Sequence, residues 1–230
     1  MAQFGTSNEK ITPVVLNLII INALVYVAQY ILGGNNEPNN ITDLFALHYY
    51  KSIYFKPYQL ITHMFMHGGF FHLLFNMYSL WMFGTVLERV WGPKRFLIFY
   101  FICGLAAAIA QLGSYAYSFS SFDHISLSPE EYDQYQQLLR RAYTVGASGA
   151  IVGLLGAFAY LFPNTKFYIL PFPFPIKAKF MVAIYAAIDL FGGLHPGPAD
   201  NIAHFAHLGG MVMGFILVII WGKTNKKTFF

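Results

Sequence analysis

Of 230 residues, 57% are hydrophobic and 19% aromatic, while Asp, Glu, Lys and Arg together reach only 10%. A soluble domain carries roughly 25% charged residues, so a water-soluble or disordered chain is excluded and a bilayer is the natural solvent. The net charge of +4 sits at the ends of apolar runs and forms no basic face, which speaks for membrane orientation and against nucleic-acid binding.

A spanning helix needs about 20 apolar residues. On that measure the sequence predicts an all-α membrane protein with six spans, at about 12–32, 68–87, 94–112, 144–161, 176–194 and 201–222, forming one bundle over residues 1–230. The first span is too long for a signal peptide, and Gly33-Gly34-Asn35-Asn36 stands where a small-residue cleavage site would be expected, so it reads as a retained helix. Residues 33–58 begin as a polar turn and become aromatic, with Tyr49, Tyr50, Tyr54 and Tyr58 around Lys51 and Lys56, a mixture suited to the headgroup level. The third span contains Cys103, the one cysteine, which reads as a small buried hydrophobe and rules out a disulfide framework within the chain. Further on, Ser128-Pro129-Glu130-Glu131 combines an N-cap, a first-turn Pro and a capping-box Glu. It predicts an amphipathic outer helix over about 129–142. Residues 223–230 read as a short basic tail.

Six spans put both termini on one side of the membrane. That side holds ten basic residues against Glu9 and Glu88, and the opposite side holds four against seven acidic ones. The asymmetry predicts cytoplasmic termini. Asp189, near the outer end of the fifth span, reads as a structural residue that reaches the interface or caps a neighbour.

Polar side chains inside spans are functional candidates, and here they gather in the second, fourth and sixth. His72 and Asn76, four residues apart, share one helical face. Ser148 lies in Gly146-Ala147-Ser148-Gly149, and His207 stands before Gly210. All three spans run from outside to inside, and at 1.5 Å per residue His72 and Ser148 fall about 6 Å, His207 about 9 Å and Asn76 about 12 Å below their span starts. The GxxxG pairs Gly149/Gly153 and Gly210/Gly214 allow close backbone approach. Such a crossing would aim His207 at Ser148. A serine hydroxyl becomes a nucleophile when a base accepts its proton, and His72, the Asn76 amide and the Ser148 N–H could stabilise the resulting oxyanion. His63, His67 and His204 read as histidines that fix loops by hydrogen bonds.

His67-x4-His72-x3-Asn76, Gly146-Ala147-Ser148-Gly149 and Ala206-His207-x2-Gly210-x3-Gly214, in this order over roughly 12–222, resemble the rhomboid intramembrane serine proteases. The resemblance implies a Ser148/His207 catalytic dyad, an oxyanion site using His72 and Asn76, and a first loop lying partly in the outer leaflet. It also implies transmembrane protein substrates, contact with membrane lipid and no cofactor or metal. Two departures stand out. Tyr58-Gln59 replaces a frequent Trp-Arg before the second span, which changes how the first loop is anchored. Val152, four residues after the serine, replaces a frequent aromatic beneath the base, so another ring has to supply the stack.

The expected function is therefore an intramembrane serine endopeptidase of the inner or plasma membrane, cleaving near the outer boundary of substrate helices. The alternatives are a non-catalytic binder of transmembrane helices, or a metalloenzyme using His63-x3-His67 and His204-x2-His207, which would leave Ser148 without a role.

Overall fold

The structure is a computed structural model that describes residues 10–32, 41–168, 174–196, 200 and 202–224. Its helices are α1 (Pro13–Leu32), α2 (Ile41–Phe45), α3 (Gln59–Thr62), α4 (Phe70–Ser79), α5 (Thr85–Trp91), α6 (Pro93–Ser118), α7 (Pro129–Arg141), α8 (Ser148–Leu161), α9 (Ala178–Leu194) and α10 (His204–Thr224). A π-helical turn, Leu80–Gly84, joins α4 and α5 into one rod. Two short antiparallel ladders complete the fold: β1 (Leu47–His48) with β2 (Tyr143–Thr144), and β3 (Lys166–Phe167) with β4 (Ile176–Lys177).

Every predicted span contains a helix. Pro13–Leu32, Phe70–Trp91, Pro93–Ser118 and His204–Gly222 are long and apolar enough to cross a membrane, and Ser148–Leu161 is a shorter apolar helix. The second span runs on to Trp91, where Gly92 at φ 77° and Pro93 at the first position of α6 stop one helix and start the next. The fourth starts later than expected, because Tyr143 and Thr144 pair with β1 instead of joining the helix. Ser148 is thus the first residue of α8 rather than a turn inside it.

In lipid, apolar surface gains little from turning inward, and helices associate through close packing and hydrogen bonds. The centre of this bundle shows that economy. A Cβ on Gly210 would collide with the carbonyl oxygen of Gly149, and one on Gly214 with that of Gly153. The two contacts advance together, so α8 and α10 run parallel with their backbones touching. On the other side of α8, a Cβ on Gly149 would meet Ala107 of α6, and one on Gly153 would lie 2.7 Å from Cys103. Outward faces are apolar, as at Leu24 and Ile31 of α1 or Phe71 and Phe75 of α4, all well exposed to the surroundings.

At the end of the bundle expected to face the cytoplasm, the buried Glu88 carboxylate accepts the Val14 and Val15 N–H groups at 3.1 and 2.9 Å. A negative charge here satisfies orphan donors of the α1 N-terminus and complements its dipole. Trp91 and Trp221 pack edge to face nearby, with ring centroids 5.5 Å apart.

The opposite end is made of hydrogen-bonded loops. The buried Gln59 side chain donates to the carbonyls of Asp43, Leu44 and Tyr54 and accepts from the N–H groups of His48 and Lys56. One amide therefore anchors the first loop at the position where the sequence departs from the usual Trp-Arg. The loop is tied to α7 by the Asp43–Arg140 pair, 2.6 Å, and by Gln136 accepting the Ile53 N–H. The expected helix start is also present: Ser128 accepts the Glu131 N–H and Glu131 accepts the Ser128 N–H. That N–H bond holds the exposed Glu131 carboxyl below the usual carboxylate range. The polar turn at residues 33–40 and most of the basic tail lie outside the described residues.

Candidate active site

Ser148 owes its setting to the two residues before it. Gly146 adopts φ 126°, where a side chain would be strained, and its N–H donates to the His63 carbonyl at 2.9 Å. The chain then turns directly into α8. Ala147 at the N-cap has no side-chain acceptor, and the helical ladder begins with Ile151 N–H on Ala147 O. The N–H groups of Ser148, Gly149 and Ala150 are left without helical acceptors, so a fixed set of donors surrounds the hydroxyl.

The glycine-packed crossing brings His207 onto this point. Its Nε2 lies 2.8 Å from Ser148 Oγ. His207 is 8% exposed, and its Nδ1 lies 3.1 Å from the Tyr185 hydroxyl and 3.2 Å from each Asp189 oxygen. Tyr185 also sets its ring against the imidazole, with centroids 5.9 Å apart. The ring beside the imidazole thus comes from α9 and lies tilted by 37°, so the stack expected in place of an aromatic at Val152 is not formed. Asp189 in turn lies 2.7 Å from His204 Nδ1, and His204 Nε2 lies 3.0 Å from Asp200.

His72 reaches the site from α4. Its Nδ1 accepts the Gly68 N–H at 3.3 Å, so in the neutral ring the proton is on Nε2. That nitrogen faces Gly146: a Cβ built there would lie 2.9 Å from His72 Nε2 and 3.6 Å from Ser148 Oγ. A donor thus points into the space beside the nucleophile. Asn76 is buried, but one of its amide N–H groups donates to the His72 carbonyl of its own helix at 2.9 Å. The structure brings Ser148, His207 and His72 together; Asn76 lies one turn further along α4, with one amide N–H committed to the His72 carbonyl.

His63 holds the approach to α4 as expected of a loop histidine, whereas the His67 ring nitrogens are buried without a hydrogen-bond partner among the described residues and its backbone alone is held. The His63 ring donates from Nδ1 to the Gln59 carbonyl at 2.8 Å, and the Gln29 side chain of α1 clamps the His67 backbone through both its N–H and its C=O. Burial pushes the pKa of His63 down to about 4, and burial aided by the neighbouring His72 ring does the same at His67. Both rings are neutral at neutral pH. Among the described residues no three His, Cys, Asp or Glu side chains are grouped as a metal site would need.

The sequence reading did not connect Tyr185 to the site and gave Asp189 a structural role. The signal for both was Tyr185-x3-Asp189, two polar groups one above the other on a single face of the fifth span.

A parallel pair of apolar helices joined at glycines, with a serine at the start of one and a histidine on the other, defines a helical membrane protein with a buried serine–histidine pair. The rhomboid domain family matches residues 54–224, and the chain belongs to that family. It is 33% identical over 171 residues to Rhomboid protein 1, mitochondrial, of Saccharomyces cerevisiae, across 73% of this chain and 43% of that protein. It is 28% identical over 217 residues to Rhomboid-like protein 16, chloroplastic, of Arabidopsis thaliana, across 94% and 63%. With Rhomboid protease GluP of Bacillus subtilis it shares 28% identity over 212 residues, across 92% and 35%. The chain thus spans less than two thirds of the length of each of these relatives.

Proposed function

We propose that this protein is a serine endopeptidase that cuts transmembrane helices of other membrane proteins near their outer boundary, without a cofactor. The observation that carries the proposal is the 2.8 Å contact between Ser148 Oγ and His207 Nε2 inside a bundle of apolar helices. In this reading residues 1–230 form one domain with six crossings, both termini are cytoplasmic, and the membrane is the inner or plasma membrane. The basic residues at the Glu88 end support that orientation.

Depth follows from length. With 14 residues α8 rises about 21 Å, short of a hydrocarbon core about 30 Å thick. Its last turn packs at the Glu88 end, where Phe158 meets Phe83 and Phe167. Ser148 at the other tip therefore lies below the outer surface, and water reaches it along the polar groups of α4, α8 and α10.

Ser148 Oγ attacks the scissile carbonyl carbon while its proton passes to His207 Nε2. The carbonyl oxygen becomes an oxyanion held by the Ser148 N–H and the His72 Nε2–H, joined by the Asn76 amide. As the tetrahedral intermediate collapses, His207 returns the proton to the departing amine, leaving an acyl-serine. Water, deprotonated by His207, then hydrolyses that ester and restores Ser148. A helical carbonyl is shielded and already hydrogen-bonded, so substrates need small or helix-breaking residues near the cut.

The test is labelling of the purified chain in detergent by a serine-directed phosphonate. Ser148→Ala should abolish labelling. For cleavage of a transmembrane peptide, Ser148→Ala and His207→Ala should each remove most activity, and the double variant should be no worse than the poorer single one, because the pair acts as one unit. Substantial proteolysis by a folded Ser148→Ala protein would end the serine mechanism.

A further inference from the structure

Asp189 is 3% exposed on a helix whose outward face is apolar. A carboxylate at such a place is costly unless its oxygens are satisfied. Here they are satisfied by the base. In the reading of Ser148 as nucleophile its hydroxyl donates to His207 Nε2, so Nδ1 bears the ring proton; that nitrogen lies 3.2 Å from both Asp189 oxygens, with the Tyr185 hydroxyl at 3.1 Å beside it. The second partner is His204 Nδ1, 2.7 Å from Asp189 Oδ1. Both nitrogens of His204 face carboxylate oxygens, Asp189 on one side and Asp200 on the other, and carboxylates only accept. His204 is therefore braced between two acids.

We infer that Asp189 is a positioning residue of the catalytic centre, making a Ser148–His207–Asp189 triad in which Asp189 fixes the Nδ1–H tautomer of His207 and stabilises the imidazolium formed when Ser148 is deprotonated, while His204, anchored on Asp200, holds the carboxylate in place. The inference rests on the reading of Ser148 as nucleophile. It extends the Ser148/His207 pair by a third member, contributed by the fifth helix. A plain anchor between α9 and α10 would need Asp189 to bond His204 but not to face the one nitrogen whose protonation decides whether His207 can accept from Ser148.

The two roles differ in what asparagine does. The amide introduced by Asp189→Asn has the size of the carboxylate it replaces. His204 claims one terminal atom as an acceptor, which leaves the amide N–H₂ turned toward His207 Nδ1. A donor there favours the Nε2–H tautomer, which cannot take the Ser148 proton. Alanine leaves a gap but imposes no wrong donor, and Tyr185 still accepts from Nδ1–H. The triad thus predicts that the isosteric change is the worse one.

The experiment measures the limiting rate and the apparent affinity of phosphonate labelling for the full chain in detergent. Asp189→Asn should lower the limiting rate by about 10³- to 10⁴-fold with little change in affinity, and Asp189→Ala should lower it by less. An Asp189→Asn protein labelled within about tenfold of the parent, or milder than Asp189→Ala, would overturn the inference. If Asp189→Asn does not fold, the ring ¹⁵N signals of His207 in the parent, assigned by comparison with His207→Gln, decide instead: Nδ1–H supports the triad and Nε2–H refutes it. A parent that takes up no phosphonate at Ser148 would remove the serine reading and this inference together, whereas a labelled parent with an indifferent Asp189→Asn removes the inference alone.

Discussion

The α8–α10 crossing and the α9 helix both serve His207, but they are built in different ways. At the crossing, glycine carbonyls and glycine Cα atoms touch across the interface, and the spacing of the two helices that carry Ser148 and His207 is fixed by backbone. Helix α9 buries only Ala178, Val182 and Asp189, and presents Ile184, Ile188 and Phe191 outward. It touches the site through the tips of Tyr185 and Asp189. The lesson is a division of labour: the approach of the helices that carry Ser148 and His207 is a property of main chain, whereas the partners of His207 Nδ1 are two side chains of a loosely held helix. Damage to the first should be severe and resistant to rescue; damage to the second should be graded.

A loss as large as that of Asp189→Asn should come from separating the two backbones. Alanine at Gly210 must push α10 away from the Gly149 carbonyl, since neither contact atom belongs to a flexible side chain. A displacement of about 1 Å can cost about 10²-fold in rate, and the shift needed here is larger. Gly210→Ala should therefore reduce phosphonate labelling of Ser148 by about 10³-fold or more and lower the thermal midpoint, in line with an overpacking cost of about 1–3 kcal/mol. Gly113→Ala and Gly222→Ala, where an added Cβ meets nothing within 4 Å, are the controls and should behave as the parent. Equal labelling of the Gly210→Ala protein would mean that the crossing does not set the catalytic distance.

The same comparison explains what could be read from the sequence. Ser148 and His207 were legible because a polar side chain in an apolar span is conspicuous and because GxxxG spacing says which faces approach. The helices themselves were legible from length and hydropathy. The facing of α9 was not, because the rotation of a mostly lipid-facing helix leaves little trace in its apolar pattern. Tyr185 and Asp189 could equally have pointed at headgroups. The start of α8 was misjudged by a few residues because Tyr143 and Thr144 answer to a partner strand almost a hundred residues away, a contact that no local window contains. Gln59 shows a further limit: one amide with five backbone partners does the anchoring expected of a larger pair, and nothing in the residue type announces it.

An intermediate effect is expected on the α4 side, which faces the same serine but holds neither nucleophile nor base. The Gly68 N–H fixes the His72 tautomer so that Nε2–H is free to meet an oxyanion. His72→Ala should cost about 10²- to 10³-fold in the limiting rate, the loss typical of one oxyanion donor, with the Ser148–His207 pair intact. Asn76→Ala should cost less, because that amide already has one N–H committed to the His72 carbonyl. Measured limiting rates in the reverse order would make the asparagine the main oxyanion donor and His72 its support.

The smallest effect should come from removing a single oxygen on α9. Tyr185→Phe keeps the ring that lies against His207 and loses the hydroxyl 3.1 Å from Nδ1. If Asp189 is the principal acceptor of the Nδ1 proton, the hydroxyl adds one neutral hydrogen bond, worth about 0.5–1.5 kcal/mol. That corresponds to a loss of about 2- to 10-fold. The tilted ring contact and the carboxylate both survive, so the affinity for phosphonate should not move. Tyr185→Ala should lose more, because the ring goes too and His207 gains room to tilt away from Ser148. The order of the pair tests how α9 acts. A Tyr185→Phe protein as impaired as Tyr185→Ala would assign the holding of His207 to the hydroxyl and leave Asp189 to serve His204. A parent-like Tyr185→Phe alongside a crippled Asp189→Asn would mean instead that α9 steers the base by charge and tautomer, with the tyrosine ring acting only as a wall.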